Sequence, residues 1–262
     1  MTRLASAASP ADAAALRTSG YPVTRSAEHL VDLERRLEGA APGRILRIVL
    51  GEVFSGRIAV VSSFGADSAV LLHQVAEIDP STPVLFVDTG RHFSETIEHR
   101  DRLVRHLGLR DVRSVGPSPE EASRLDADLS RASWDPDGCC AFRKVAPLER
   151  ALAGFDAWIT GRKRFQATTR HGLSVFEVDG LHTKINPLAY WRQAEIDAYA
   201  SRHRLPAHPL GERGYPSIGC APCTSPVLPD EDPRAGRWRG QVKTECGIHR
   251  SAAALAALLP SS

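Results

Sequence analysis

Five cysteines carry most of the chemical information in this chain, and their spacing separates four of them from the fifth. Cys139 and Cys140 are adjacent, Cys220 and Cys223 flank Ala221-Pro222 far downstream, and Cys246 stands apart in Lys243-Thr244-Glu245-Cys246-Gly247-Ile248-His249. Four thiols that meet only after folding form a soft ligand set for an iron-sulfur cluster or a zinc ion, although the spacing is that of no common finger or ferredoxin run. Free cysteine is also a frequent apolar filler. An adjacent pair suits that role badly, because neighbouring residues on a helix or a strand point in different directions. The pattern therefore suggests that four thiols hold an inorganic centre and the fifth does chemistry.

A second reactive stretch lies upstream. Ile58-Ala59-Val60-Val61 is an unbroken apolar run, as expected of a parallel strand covered on both faces. It empties into Ser62-Ser63-Phe64-Gly65-Ala66-Asp67-Ser68, after which Ala69-Val70-Leu71-Leu72 opens a helix. A turn of small residues between a strand and a helix N-terminus gathers free backbone N–H groups and a positive dipole end, which together bind anions. The stretch has neither the Gly-Lys-Ser/Thr of a Walker loop nor the Gly-x-Gly-x-x-Gly of a dinucleotide turn.

The elements needed to position these groups read as an alternation. A strand at Pro83 to Val87 ends in Asp88-Thr89-Gly90, a helix runs from Ser94 to Leu107 with Gly108 as its stop, and a third strand covers Val112 to Val115. Ser118-Pro119-Glu120-Glu121 then has the form of a capping box. The order strand, helix, strand, helix predicts a doubly wound, mostly parallel α/β sheet, whose ligands sit beyond the carboxyl ends of the strands. After the cysteine pair a helix is expected from Ala141 to Ala153 with Phe142, Val145, Leu148 and Leu152 inward. The strand Ala157 to Thr160 delivers Gly161-Arg162-Lys163-Arg164-Phe165-Gln166 and then Arg170, whose cations at the same crevice would clamp an anion. Short strands at Val175 to Val178 and Lys184 to Leu188, with a turn at Asp179-Gly180, and a helix from Arg192 to His203 complete the ordered part. Two packing helices are expected earlier, one capped by Ser26 and running to Leu37, the other from Pro42 to Phe54.

The 262 residues, 42% hydrophobic and 24% charged, suit one large soluble domain. A net charge of +2 gives no case for sequence-independent nucleic-acid binding, and no apolar run approaches membrane length. An odd number of cysteines in a core-rich chain points to a reducing cytosol rather than a secreted setting. The Ala- and Arg-rich N-terminus resembles a transit peptide in composition, but both residues are abundant throughout, so a poorly ordered extension is expected there. The organisation expected is an N-terminal extension with helices over 1–55, a nucleotide- and cluster-binding α/β domain over 56–233, and a C-terminal segment over 234–262 that carries the reactive cysteine.

Taken together, these motifs resemble the phosphoadenylyl-sulfate reductase family, and within it the assimilatory adenylyl-sulfate reductases. The resemblance runs from about Ser62 to His249. It rests on the Ser63 to Ser68 loop, Asp88-Thr89-Gly90, both cysteine pairs, Gly161 to Arg170, Lys184 to Leu188, Gly214 to Thr224, Arg234-Ala235-Gly236-Arg237-Trp238 and, most specifically, Lys243 to His249. It implies an adenine-nucleotide α-hydrolase-like (pyrophosphatase-loop) fold with a mobile C-terminal segment, and a [4Fe-4S] cluster on Cys139, Cys140, Cys220 and Cys223. Cys246 is implied as the nucleophile that takes the sulfur of adenylyl sulfate, with AMP leaving and thioredoxin (or glutaredoxin) releasing sulfite. Ser62, Ser63, Gly65 and Gly161 are expected to hold the nucleotide, Lys144, Arg234, Arg237 and His249 to contact the phosphosulfate, and Asp67, Ser68, Arg164 and Arg170 are further expected substrate-binding residues. The chain departs from the family pattern at Phe64, where glycine is usual, and at Lys163-Arg164-Phe165. Plastid relatives append a thioredoxin-like domain and this chain stops soon after His249, so the reductant is expected in trans and in a bacterial cytosol. Oligomeric state is open, a homo-oligomer included. The rivals are the phosphoadenylyl-sulfate branch, a cluster-bearing tRNA thiolation enzyme and a non-catalytic redox sensor.

Overall fold

The computed structural model describes residues 27–249. Ser26 as a helix cap, the expected N-terminal extension and the tail from Ser251 lie outside the described residues. Helices α1 (Ala27–Arg36) and α2 (Pro42–Ile48) lead into β1 (Ile58–Ser62), α3 (Ser68–Ala76), β2 (Val84–Val87), α4 (Ser94–Leu107) and β3 (Val112–Val115). The chain continues through α5 (Pro119–Leu125), α6 (Arg131–Trp134), α7 (Pro136–Cys140), α8 (Ala146–Leu152), β4 (Ala157–Ile159), β5 (Phe176–Asp179), β6 (His182–Ile185) and α9 (Gln193–Arg202).

Six strands form one sheet in the order β3-β2-β1-β4-β6-β5, parallel throughout except for β5, which pairs antiparallel with β6. Alternate residues of each strand feed two cores. Ile58, Val60, Val84, Phe86 and Ile159 face one cluster with residues of α1 to α4 and α9, whereas Ala59, Val61, Leu85, Val87 and Trp158 face a second with Leu148 and Leu152 of α8. Helices on both faces explain why β1 and β2 read as unbroken apolar runs. Strand order reverses between β1 and β4, so the crevice at their carboxyl ends, where Ser62 and Gly161 emerge, is the topological switch point.

Local chemistry sets most boundaries. Gly108 ends α4 in the left-handed conformation, φ 64°, and Ser118 and Glu121 close a reciprocal capping box at the start of α5. Two boundaries differ from the sequence reading for one reason. The helix expected over Pro42 to Phe54 passes into a π turn at Val49–Val53, and the one expected from Ala141 contains a π turn at Ala141–Val145. Each π turn takes an extra residue, so the side-chain period slips. Between α7 and α8 the slip leaves Phe142 half-buried and turns Arg143 and Lys144 inward. Arg143 is paired there with Asp126 at 2.7 Å and donates to the Thr89 carbonyl at 2.9 Å, which ties the cysteine helix to the end of β2.

Phe64 occupies the glycine position of the turn after β1 with φ 51°. Left-handed backbone costs a residue with a Cβ about 1–2 kcal/mol. Burying the ring returns about 1.5–3 kcal/mol, and Phe64 is fully buried, edge-on to Phe86 with ring centroids 5.5 Å apart. The exchange of glycine for phenylalanine therefore keeps the turn and adds a core contact.

The rings of His99 of α4 and His208 lie with centroids 4.8 Å apart, tilted by 55°, and burial pushes their imidazoles down from 6.5 to about 3 and about 4. His208 accepts from the Leu210 N–H at Nδ1 and faces the Thr96 hydroxyl at 3.1 Å through Nε2. Both rings are therefore neutral in the fold, whereas the unfolded chain protonates them near 6.5. Their contribution to stability is complete above that pH and is lost as pH falls toward their folded values. The urea midpoint should drop between neutral pH and about pH 5, and should drop less steeply in His99→Leu; equal slopes in the two proteins would assign the decline to other groups.

Candidate active site

A cavity of about 360 Å³ opens at the switch point. One wall is the turn Ser62 to Ser68. The Ser62 hydroxyl accepts from the Phe64 N–H at 3.0 Å and the Ser68 hydroxyl donates to the Gly65 carbonyl at 2.7 Å, which bends the chain before α3. Among the described residues no hydrogen bond occupies the backbone N–H groups of Gly65, Ala66 and Asp67, and these amides open the N-terminal end of α3. Asp67 is held by Lys163 at 2.8 Å rather than capping the helix.

Gly161 and Arg170 line the opposite wall together with Arg162 and Lys163. The last two are among the cations expected at the carboxyl end of β4, although they were not named as individual site contacts. Arg164 is placed elsewhere and corrects the sequence expectation. The 3-10 turn Arg164–Gln166 sends Lys163 and Gln166 toward Asp67 and turns Arg164 outward. There its guanidinium donates to the Leu173 carbonyl at 2.7 Å and lies 4.2 Å over the Tyr190 ring.

The third wall is the C-terminal segment. Ser225 N–H donates to the Gly236 carbonyl at 2.9 Å and Trp238 N–H to the Cys223 carbonyl at 3.0 Å, so the chain carrying Arg234 and Arg237 is laced to the second cysteine loop. Arg234, Arg237, Cys246 and His249 all reach the cavity from here. The Cys140 thiol donates a hydrogen bond to the Cys246 sulfur and Lys144 Nζ stands 3.8 Å from it; with Arg237 they hold Cys246 well below its ordinary value against the effect of burial. The same hydrogen bond, with burial, pushes Cys140 well above. Burial alone would depress the Lys144 ammonium, but the sulfurs of Cys220, Cys246 and Cys140 outweigh it and keep lysine charged. His249 lies parallel to Trp158 with centroids 6.2 Å apart, and burial followed by Lys184 and three arginines keeps its ring neutral. Its Nδ1 and the Arg237 Nε are buried with no hydrogen-bond partner among the described residues, which leaves both available to a ligand.

Cys139, Cys140 and Cys220 are buried, and all five thiols are free of disulfides. Cys139 is pushed up to about 11 by burial and by the sulfurs of Cys220 and Cys223, and burial and Cys220 raise Cys223 as well. Thiols that oppose one another's ionisation in a dry recess are the donor set that a cationic centre would stabilise. Among the described residues no three His, Cys, Asp or Glu side chains converge closely enough to enclose a single ion. Zinc would need sulfurs about 2.3 Å from one point.

The sheet order, the anion turn at its switch point and the cavity define an adenine-nucleotide α-hydrolase-like protein. The Phosphoadenosine phosphosulfate reductase domain family matches residues 57–226. The chain is 51% identical over 210 residues to the adenosine 5'-phosphosulfate reductase of Mesorhizobium japonicum, covering 80% of this chain and 83% of that one. It is 41% identical over 225 residues to the phosphoadenosine 5'-phosphosulfate reductase of Gloeobacter violaceus, covering 84% and 93%. The crystal structure of phosphoadenylyl-sulfate reductase from Candida auris, a phosphate complex, superposes with a TM-score of 0.66 at 28% identity, covering 77% of this chain and 98% of that one. The chain belongs to the phosphoadenosine phosphosulfate reductase family. Among the described residues no helix is long and apolar enough to cross a membrane.

Gly219 packs against the Arg237 guanidinium so closely that a Cβ there would displace it. Gly219→Ala should fold with an unchanged thermal midpoint and bind pyrophosphate about tenfold more weakly, the worth of one charge-assisted hydrogen bond. Unchanged affinity in a binding titration would show that Arg237 does not meet the anion.

Proposed function

We propose that this chain reduces adenylyl sulfate to sulfite and AMP through an S-sulfocysteine on Cys246. The observation that carries this reading is the Cys246 sulfur held 3.8 Å from the Lys144 ammonium at a nucleotide-sized cavity at the switch point. A free cysteine is only a few per cent thiolate at neutral pH, and a neighbouring cation raises that fraction.

In this reading the amides of the Ser62 to Ser68 turn and Gly161 hold the nucleotide, while Lys144, Arg237 and the neutral His249 face the phosphosulfate. The positive charge of Lys144 and Arg237 offsets the repulsion between an anionic substrate and an incoming thiolate. The Cys246 sulfur forms a bond to the sulfate sulfur as the bond from that sulfur to the phosphate oxygen breaks, and AMP departs with the electron pair. A dithiol reductant, thioredoxin or glutaredoxin in trans, then attacks the Cys246 sulfur, releases sulfite and becomes a disulfide. A cytosolic setting suits five unpaired thiols.

Cys139, Cys140, Cys220 and Cys223 are the thiols that would hold a [4Fe-4S] cluster. Four cysteine thiolates are the ligand set such a cluster takes. When bound, the cluster would supply a fixed local charge beside Lys144. Phosphoadenylyl sulfate is the second reading, favoured by the name of the Gloeobacter relative; the two cysteine pairs support the unphosphorylated nucleotide.

Intact-mass measurement after mixing the cluster-loaded protein with adenylyl sulfate, with no reductant present, should find one added sulfonate that maps to Cys246. Cys246→Ser should bind adenylyl sulfate, retain the cluster and remain unmodified. An unmodified parent protein, or sulfite release by the serine variant, would overturn this mechanism.

A further inference from the structure

Glu245 stands immediately before the proposed nucleophile, and its carboxylate is gripped from two sides. Its oxygens meet Arg170 as a fork, Oε1 to Nε at 2.7 Å and Oε2 to Nη2 at 2.8 Å. Oε2 also lies 3.6 Å from Arg234 Nη2, and the Thr169 hydroxyl donates to Oε1 at 3.3 Å. The arginines come from distant parts of the chain. Arg170 follows β4 and is steadied by Gln166, which accepts from its Nη1 at 2.7 Å, whereas Arg234 also donates to the Thr244 carbonyl at 3.0 Å.

These side chains are largely shielded, with 8% exposure for Arg170, 15% for Arg234 and 14% for Glu245, so the fork is far less screened than a surface ion pair. The neighbours of Glu245 are tied elsewhere: Lys184 donates to the Ile248 carbonyl at 3.3 Å, Ile248 packs against the second core and His249 lies parallel to Trp158. The fork is what ties residue 245 itself to the loop after β4. Val242 is 99% exposed, Lys243 pairs with Asp137 on the cysteine helix, and the turn itself is closed by one bond from the His249 N–H to the Cys246 carbonyl at 3.0 Å. The grip also sorts the cations of the cavity. Lys163 is matched to Asp67, Arg162 to Glu177 and Arg170 to Glu245, whereas among the described residues Lys144 and Arg237 have no carboxylate in an ion pair.

We infer that Glu245 is the positioning residue for the reaction: by pairing with Arg170, and more loosely with Arg234, it seats Cys246 at Lys144 and leaves Lys144 and Arg237 as the cations for the incoming anion. This rests on the reading of Cys246 as the nucleophile. It moves Arg170 from the substrate contacts expected from sequence to the seat of the reactive segment. A seat of this kind weakens with ionic strength.

The test uses the full-length, cluster-loaded protein and two variants, Glu245→Gln, which removes the charge, and Glu245→Asp, which keeps it on a shorter stem. Hydrogen exchange of the 243–249 amides, with no substrate present, should be slow at low salt and faster at high salt in the parent, fast at both in Glu245→Gln, and intermediate in Glu245→Asp. With adenylyl sulfate, Glu245→Gln should lose about tenfold or more in kcat with KM within about twofold, and Glu245→Asp should recover part of the loss. Unchanged exchange in Glu245→Gln overturns the inference whatever the kinetics, and so does a rise in KM at constant kcat, which would make Glu245 or its arginines part of substrate binding. If Glu245→Gln does not fold, Glu245→Asp decides alone, by intermediate exchange and lowered kcat or by parental values of both. A parent chain that forms no sulfite would refute the proposed reaction, while the exchange comparison would still decide whether Glu245 seats the segment.

Discussion

The Lys144 ammonium is buried with sulfur atoms, not carboxylates, as its counter-charges. An ammonium withdrawn from water is normally pushed toward neutrality. Here Cys220, Cys246 and Cys140 keep it charged, and the charge in turn helps keep Cys246 ionised. Three separate parts of the chain meet at this one cation. The π turn after α7 faces it inward, the loop of Cys220 is bonded back to the end of β2 through the Ala221 N–H and the Arg91 carbonyl, and the C-terminal segment brings Cys246.

The cavity is rich in cations, yet the protein is nearly neutral overall. The two facts agree because several of those cations are already neutralised within the fold. Arg162, Lys163 and Arg170 each have a carboxylate, and Lys184 lies 4.5 Å over the Trp158 ring, pushed down to about 8 by burial and by Arg162. Attraction for an anion is thereby confined to a small part of the lining. That suits recognition of one compact group, whereas a polyanion would need an extended positive face.

Much of this arrangement was legible in the amino-acid order. β1 is an unbroken apolar run because both faces of the sheet are covered, and α4 ends at Gly108 because that residue takes the left-handed cap. Ser118 and Glu121 announce α5 by their three-residue spacing. The segregation of Cys246 from the other four thiols in sequence is matched by its place on the C-terminal segment that lines the cavity. Three features were hidden, each for a physical reason. Period arguments assume regular helix, so a π turn misplaced Phe142 and concealed that Arg143 faces inward beside Lys144. Four neighbouring cations after β4 look alike in sequence, and only the 3-10 turn tells that Lys163 enters the cavity while Arg164 stacks on Tyr190. The bond from Cys140 to Cys246 joins residues whose proximity depends on the closed C-terminal segment, which no local pattern encodes.

The π turn at Ala141–Val145 has a consequence for how this protein can change. Upstream of it the winding must serve Cys139 and Cys140; downstream it must present Leu148 and Leu152 to the sheet. A uniform helix would lock those two demands into one angular phase. The extra residue acts as a phase shifter that uncouples them, so substitutions that repack α8 can accumulate without rotating the thiols, and the sulfur recess can be retuned without disturbing the sheet.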